Sequence, residues 1–251
     1  MRLRSSCAAL PFLALCGVVS CSPAEAQGEP AEEAATTGAV VGADGYFGVT
    51  ADLRACASPV CGGWFVHRLN RATTVCHDGR PAAACYTPVL DWSEAKLSDA
   101  QQAKLRDAAR VDAGSGSVYA IVRGRFAPSN RTTPRPDLGA LVVTAAWIAE
   151  TDTASDGVFV MVKDNGLRCF AAPCPSMTET TLNTAWVADI AEIDFTATGL
   201  GERAIEACRQ EIATPAGLLI AGHRYLVHDN GSTGKACAAT AVYQPLADAA
   251  P

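Results

Sequence analysis

From residue 45 onward the chain alternates short apolar runs, rich in β-branched and aromatic residues, with polar stretches rich in turn formers. YFGVTAD (46–52), WFVHRLN (64–70) and TPVLDW (87–92) have the length and composition of strands, as do SVYAIVRGRF (117–126) and LGALVVTAAWIA (138–149). Between the third and fourth of these the period becomes helical. Ala100, Leu105, Ala108 and Ala109 fall near one face, and Ser98 with Gln101 three residues on makes a capping-box pair. GVFVMVKD (157–164), TTLNTAWV (180–187) and AEIDFTA (191–197) then precede a second helix over 201–212, where Ala204, Ile205, Cys208 and Ile212 share a face. LLIAGHRYLV (218–227) and KACAATAVYQP (235–245) follow, separated by the turn-forming DNGSTG. The expected fold is therefore α+β and β-rich, with two tandem β-β-β-α-β-β units. An OB-like barrel has this order, and so has an open sheet covered by one helix.

The two halves also share residues. Cys56-x4-Cys61-x7-Leu69-Asn70 is matched at identical spacing by Cys169-x4-Cys174-x7-Leu182-Asn183. Asp91-Trp92 with Leu97 corresponds to Asp194-Phe195 with Leu200, AIVRGRF (120–126) to LIAGHRY (219–225), and TAAW (144–147) to TAVY (240–243). Several anchors in one order point to an internal duplication, with unit 1 at 45–150 and unit 2 at 157–247 joined by TDTASD.

The first twenty residues read differently. Arg2 and Arg4 precede an apolar run from Cys7 to Val19 that is too short to span a bilayer, the pattern of a secretory signal peptide. The run ends in Val18-Val19-Ser20-Cys21, which resembles a bacterial lipobox and makes Cys21 the candidate lipidation site. A competing cut after Ala24-Glu25-Ala26 would release a soluble secreted protein. Ser22 after the cysteine fits sorting to the outer membrane rather than retention. Residues 21–44, rich in Ala, Glu, Gly and Pro without amphipathic period, read as a disordered tether, and the stretch from Ser22 would reach roughly 27 Å as a flexible coil.

Removing residues 1–20, which carry two arginines and no acid, moves the formal charge from -6 to -8. A chain so acidic, with no basic stripe, is not expected to bind nucleic acid.

Of eleven cysteines, Cys7 and Cys16 leave with the signal and Cys21 is lipidated or removed. Eight remain, four in each unit, and an even number in an exported chain argues for disulfides. If the shared x4 pair is an inherited bond, the rest pair by default: Cys56-Cys61, Cys76-Cys85, Cys169-Cys174 and Cys208-Cys237. Zinc held by Cys56, Cys61, Cys76 and Cys85, with His67 or His77, is the competing reading. Unit 2 keeps only two of those four cysteines, and the tight CxxC knuckle of zinc and thioredoxin-like sites is missing. No metal and no cofactor is expected.

Catalytic signals are weak. Ser93-Glu94-Ala95-Lys96 matches SxxK but lacks the partner motifs that position substrate, and no GxSxG or phosphate-cradling glycine loop is present. His223 and His228 are five apart on a strand and so point to opposite faces. The loop APSNRTTPRPDLG (127–139), longer than a hairpin turn, offers Arg131 and Arg135 as a candidate contact surface on an acidic protein. Arg54 and Arg168, beside the first cysteines, suit ion pairing, and Asn70 and Asn183 suit turn capping.

CGGW (61–64), LGALVVTAAW (138–147) and DNGLRCFAAPCPS (164–176) together resemble a functionally uncharacterised family of exported proteins, chiefly myxobacterial. The resemblance covers most of the mature chain and implies no activity. The leading expectation is a non-catalytic cell-envelope lipoprotein of the outer membrane that binds an envelope or extracellular partner. An exported hydrolase inhibitor, favoured by the rigid loops and an NTR-like end, comes second, and a hydrolase using Ser93 and Lys96 third.

Overall fold

The apolar runs are strands, but two of them are broken in the middle. The computed structural model describes residues 43–55, 59–111, 116–127, 138–229 and 231–246, all within a unit running Ala39–Pro251. The first half contains β1 (Gly45–Ala51), β2 (Trp64–Arg68), β3 (Thr74–Val75), β4 (Pro81–Ala82), β5 (Cys85–Thr87), β6 (Val89–Asp91), α1 (Asp99–Ala108), β7 (Ala120–Phe126) and β8 (Ala140–Ala149). The second contains β9 (Val158–Asp164), β10 (Met177–Thr181), β11 (Val187–Ile190), β12 (Glu192–Asp194), α2 (Glu202–Ile212), β13 (Leu218–Asp229) and β14 (Ser232–Pro245). α1 starts where its cap requires. The Ser98 hydroxyl accepts from the Gln101 N–H, the Gln101 side chain accepts from the Ser98 N–H, and Leu105 is buried beneath.

One 12-stranded sheet runs β11-β10-β9-β13-β14-β8-β7-β1-β2-β5, with β12 added parallel to β14 and β6 parallel to β8. β3 and β4 form a separate small hairpin. These pairings overturn the expectation of two tandem β-β-β-α-β-β units. Among the described residues, β1, β2, β5 and β6 precede α1 in the main sheet, and β9 to β12 precede α2. The expected third strand is split because it changes partner. β5 lies antiparallel to β2, whereas β6, beyond Pro88, lies parallel to β8. Proline has no N–H to give to a ladder and marks the switch. β11 and β12 repeat the arrangement on either side of Ala191, whose N–H donates to Lys235 O at 2.8 Å. The halves then join through β8 and β14, in register Tyr243↔Ala149, Gln244↔Ile148 and Pro245↔Trp147. They are parts of one sheet, and the OB-like reading, which required two such units, goes with the correction.

The pairing pattern does recur from half to half. β1 pairs with β2 and β7 as β9 pairs with β10 and β13, and bulges fall between Arg123 and Gly124 and between Ala221 and Gly222. Gly124 therefore corresponds to Gly222, one residue away from the sequence match of AIVRGRF with LIAGHRY. A Cβ on Gly124 would lie 2.1 Å from Val142 O, and one on Gly222 would lie 2.3 Å from Ala238 O. The neighbouring strand occupies that space, so only glycine fits.

Two apolar clusters fill the halves and a third lies between them. Leu69, Ile121 and Trp147 of the first half pack with Leu182, Leu219 and Tyr243 of the second. At the rim of this seam two asparagines with left-handed backbone cross-cap the opposite half. Asn70 (φ 57°) donates from Nδ2 to Phe159 O at 2.7 Å and accepts from Phe159 N–H at 2.9 Å. Asn183 (φ 60°) donates to Tyr46 O at 2.7 Å and accepts from Tyr46 N–H at 2.8 Å.

Candidate functional site

The connection between β9 and β10, residues 165–176, is braced by hydrogen bonds, an ion pair and a disulfide. Asp164, the last residue of β9, accepts from the Gly166 N–H at 2.7 Å and from both terminal nitrogens of Arg168, at 3.0 and 2.6 Å. The Arg168 guanidinium and then the Gly166 N–H hold the Asp164 carboxyl well below its ordinary range, at about 2. Asn165 donates its N–H to Ser176 O and its Nδ2 to Pro175 O at 2.8 Å, and its Oδ1 accepts from the Leu167 N–H. The same Nδ2 reaches Asp189 on β11, whose carboxyl is lowered by hydrogen bonds from Thr178 and Asn165.

Within this frame Cys169 and Cys174 form a disulfide, Cα atoms 5.5 Å apart. Pro173 rests on Gly234 of β14, where a Cβ would come within 2.8 Å of the proline ring. The tip carries Phe170, which is fully exposed, and Leu167 beside it is 46% exposed. A shallow groove of ≈ 220 Å³ runs along the base, lined by Arg168 and Ser176 from the loop, Asp164 and Met177 from the strands, and Arg209 and Ile212 from α2. Phe170 thus holds a large apolar side chain in water on a loop constrained by an ion pair, hydrogen bonds and a disulfide.

The first half carries the counterpart. Asp52, buried, takes Nε and Nη2 of Arg54, each at 2.8 Å, and Arg54 in turn lies over Phe65 and Tyr86, 5.1 and 5.6 Å from their ring centres. Tyr86 donates to Pro59 O at 2.7 Å, and exposed Val60 follows. Cys61 is disulfide-bonded, while Cys56 lies outside the described residues.

The other sequence-derived candidates are dispersed. Cys76 and Cys85 form a disulfide beside β3 and β4, so those sulfurs cannot ligate zinc as thiolates. Among the described residues no group of three or more His, Cys, Asp or Glu could hold a metal ion. The expected Cys208-Cys237 bond is corrected: both are free, buried thiols in the apolar cluster of the second half. Each fills core volume as a small apolar side chain. Burial, then the nearby Glu179 carboxylate, pushes the Cys237 thiol up to about 12, and burial first raises Cys208 as well, so both stay protonated. Ser93-Glu94-Ala95-Lys96 is a turn in which Lys96 has φ 53° and Glu94 pairs with Arg125; α1 starts only at Asp99. The helical face on which SxxK brings serine and lysine together is therefore not built. His223 faces Asp156 at 3.2 Å, and His228 faces Thr233 at 2.9 Å, both on exposed positions of β13. Arg131, Arg135 and Cys21 lie outside the described residues.

One cluster was not foreseen. Glu179, Thr181, Trp186 and Arg224 meet at one end of the second half, with Arg224 Nε donating to Glu179 Oε1 at 2.6 Å and its guanidinium carbon 3.6 Å from the Trp186 ring centre. The signal was a carboxylate at an inward position of the alternating MTETT.

Residues 45–249 match the model of a family described as Domain of unknown function (DUF6748). No curated protein and no solved structure matches the chain.

Proposed function

Because the chain belongs to this family of unknown function, its role must be read from its geometry, and we propose that it is a non-catalytic binding module of the cell envelope. The observation that carries the reading is fully exposed Phe170 at the tip of the Cys169–Cys174 loop, braced by Asp164, Arg168 and Asn165. Ordering entropy for that loop is met during folding, so a partner that accepts the phenyl ring gains its burial with little further cost. Residues 1–20 serve as the export signal, Cys21 carries the lipid anchor at the outer membrane, and residues 21–44 tether the domain to it. Disulfides between Cys76 and Cys85 and between Cys169 and Cys174 are compatible with an oxidising compartment. Among the described residues, no helix is long and apolar enough to cross a membrane.

Pull-down of tagged wild-type protein and Phe170→Ala from intact envelopes tests the reading. A partner retained by wild type and lost from F170A is the expected result; identical profiles from the two would overturn it. The same stapled Phe170 also suits a second reading, a hydrolase inhibitor whose rigid loop enters an enzyme cleft. One-to-one protection of a target protease, abolished by F170A, would single that reading out.

A further inference from the structure

The second half holds a charge pair at positions that are apolar in the first. Counted from the bulge glycines, Arg224 corresponds to Phe126; counted from Leu182 and Leu69, Glu179 corresponds to Val66. Phe126 and Val66 belong to the apolar core of the first half, so this architecture does not require charge here. Nor is the pair arranged for stability. Glu179 is fully buried, and its Oε2 has no hydrogen-bond partner among the described residues. An apolar pair of similar volume would serve the fold as well or better.

What the pair does achieve is to fix a guanidinium. Nε is held by Glu179 Oε1, Nη2 donates to Thr181 Oγ1 at 2.6 Å, and the Trp186 ring covers one face. The remaining Nη1 and Nη2 hydrogens form a two-pronged donor edge of the spacing that matches a carboxylate. The Arg224 side chain is 26% exposed, Trp186 is 38% exposed, and Leu226, two residues along β13, is 58% exposed. Exposed Lys235 stands opposite Leu226 on β14, so Arg224, Lys235 and Glu179 together carry net positive charge. Asp189, whose carboxyl senses Lys235, is engaged by Thr178 and Asn165.

We propose that this cluster is a binding site for a carboxylate carried on an apolar group, of the kind a peptide C-terminus presents. The free guanidinium edge takes both carboxylate oxygens, and Trp186 with Leu226 receives the apolar part. This inference does not rest on the reading of Phe170.

Titration of the disulfide-intact protein with N-acetyl-leucine, N-acetyl-leucinamide and inorganic phosphate, following the Trp186 indole N–H and Arg224 Nε–H by NMR, tests the assignment. N-acetyl-leucine is expected to shift both signals saturably, with the amide and phosphate each weaker by about tenfold or more, the loss that goes with a missing charge-assisted hydrogen bond or a missing apolar contact. The double variant Glu179→Val, Arg224→Phe installs the residues of the first half and is expected to fold but to lose the Trp186 response. Trp186→Ala, changed at the surface, should weaken the Arg224 response several-fold and keeps the test open if the double variant does not fold. No saturable shift, an amide or phosphate as tight as N-acetyl-leucine, full affinity in a folded double variant, or an unchanged Arg224 response in Trp186→Ala would each overturn the proposal.

Discussion

Single side chains bind the two halves to each other. Asn70 makes three hydrogen bonds to the second half, to Phe159 O, Leu182 O and Phe159 N–H, from a left-handed backbone that asparagine tolerates better than most residues. Replacing it by alanine removes the partner of Phe159 N–H and of Leu182 O and leaves Phe159 O with the Leu182 N–H alone, at a partly buried seam. Asn70→Ala is expected to lose about 2–3 kcal/mol in urea unfolding, and Asn183→Ala a similar amount. A loss under about 0.5 kcal/mol from either would mean that the seam does not depend on these caps. The paired Leu-Asn motif was visible in the sequence, and turn capping was the right chemistry. That each cap serves the other half was not, because no local pattern says which distant backbone a side-chain amide will meet. Glu179 was hidden for a related reason. Its inward position follows from alternation in MTETT, but its partner comes from a strand 45 residues away.

At the scale of the element, the β9–β10 loop owes its shape to a carboxylate, a guanidinium and a disulfide. Asp164 is held at about 2 against an ordinary 3.8, so the ionised form is favoured in the folded loop. Its contribution is complete above pH ~4 and is lost as pH falls toward 2. The Asp164 carboxyl is expected to titrate near 2 by NMR, and a midpoint near 4 would show that Arg168 does not hold it. The staple acts separately. Cys169→Ser with Cys174→Ser is expected to cost about 2 kcal/mol of stability in the chain-entropy model and to speed amide exchange in 165–176 while leaving the β13–β14 amides protected. Loss of protection across the whole sheet would instead make the staple a requirement of the fold. Much of this level was legible: the capping box of α1, the strand-like runs, and the ionic role of Arg54 and Arg168 beside their loops. The broken third strand was not, since periodicity gives the apolar face of TPVLDW but not the change of partner at Pro88.

For the whole molecule, recurrence of pairing within one continuous sheet replaces the picture of two tandem units. The shared Cys, Leu and Asn spacings revealed a resemblance between halves, yet they could not show that β8 and β14 join them or that Leu69, Trp147, Leu182 and Tyr243 make a common core. Such contacts are non-local and leave no periodic trace. The halves also diverge where they meet the outside: the first places exposed Val60 beside Cys61, the second exposed Phe170 beside Cys169, and the second has the Arg224–Glu179 pair where the first has Phe126 and Val66. On that asymmetry we place the proposed partner contact on the second half.

A photoreactive phenylalanine analogue at position 170, in the full-length protein produced in living cells, tests this most directly. The account predicts a discrete cross-linked adduct that is lost when Cys169 and Cys174 are both serine and is absent when the analogue stands at exposed Arg203 on α2. No adduct from position 170, or the same adducts from both positions, would contradict it.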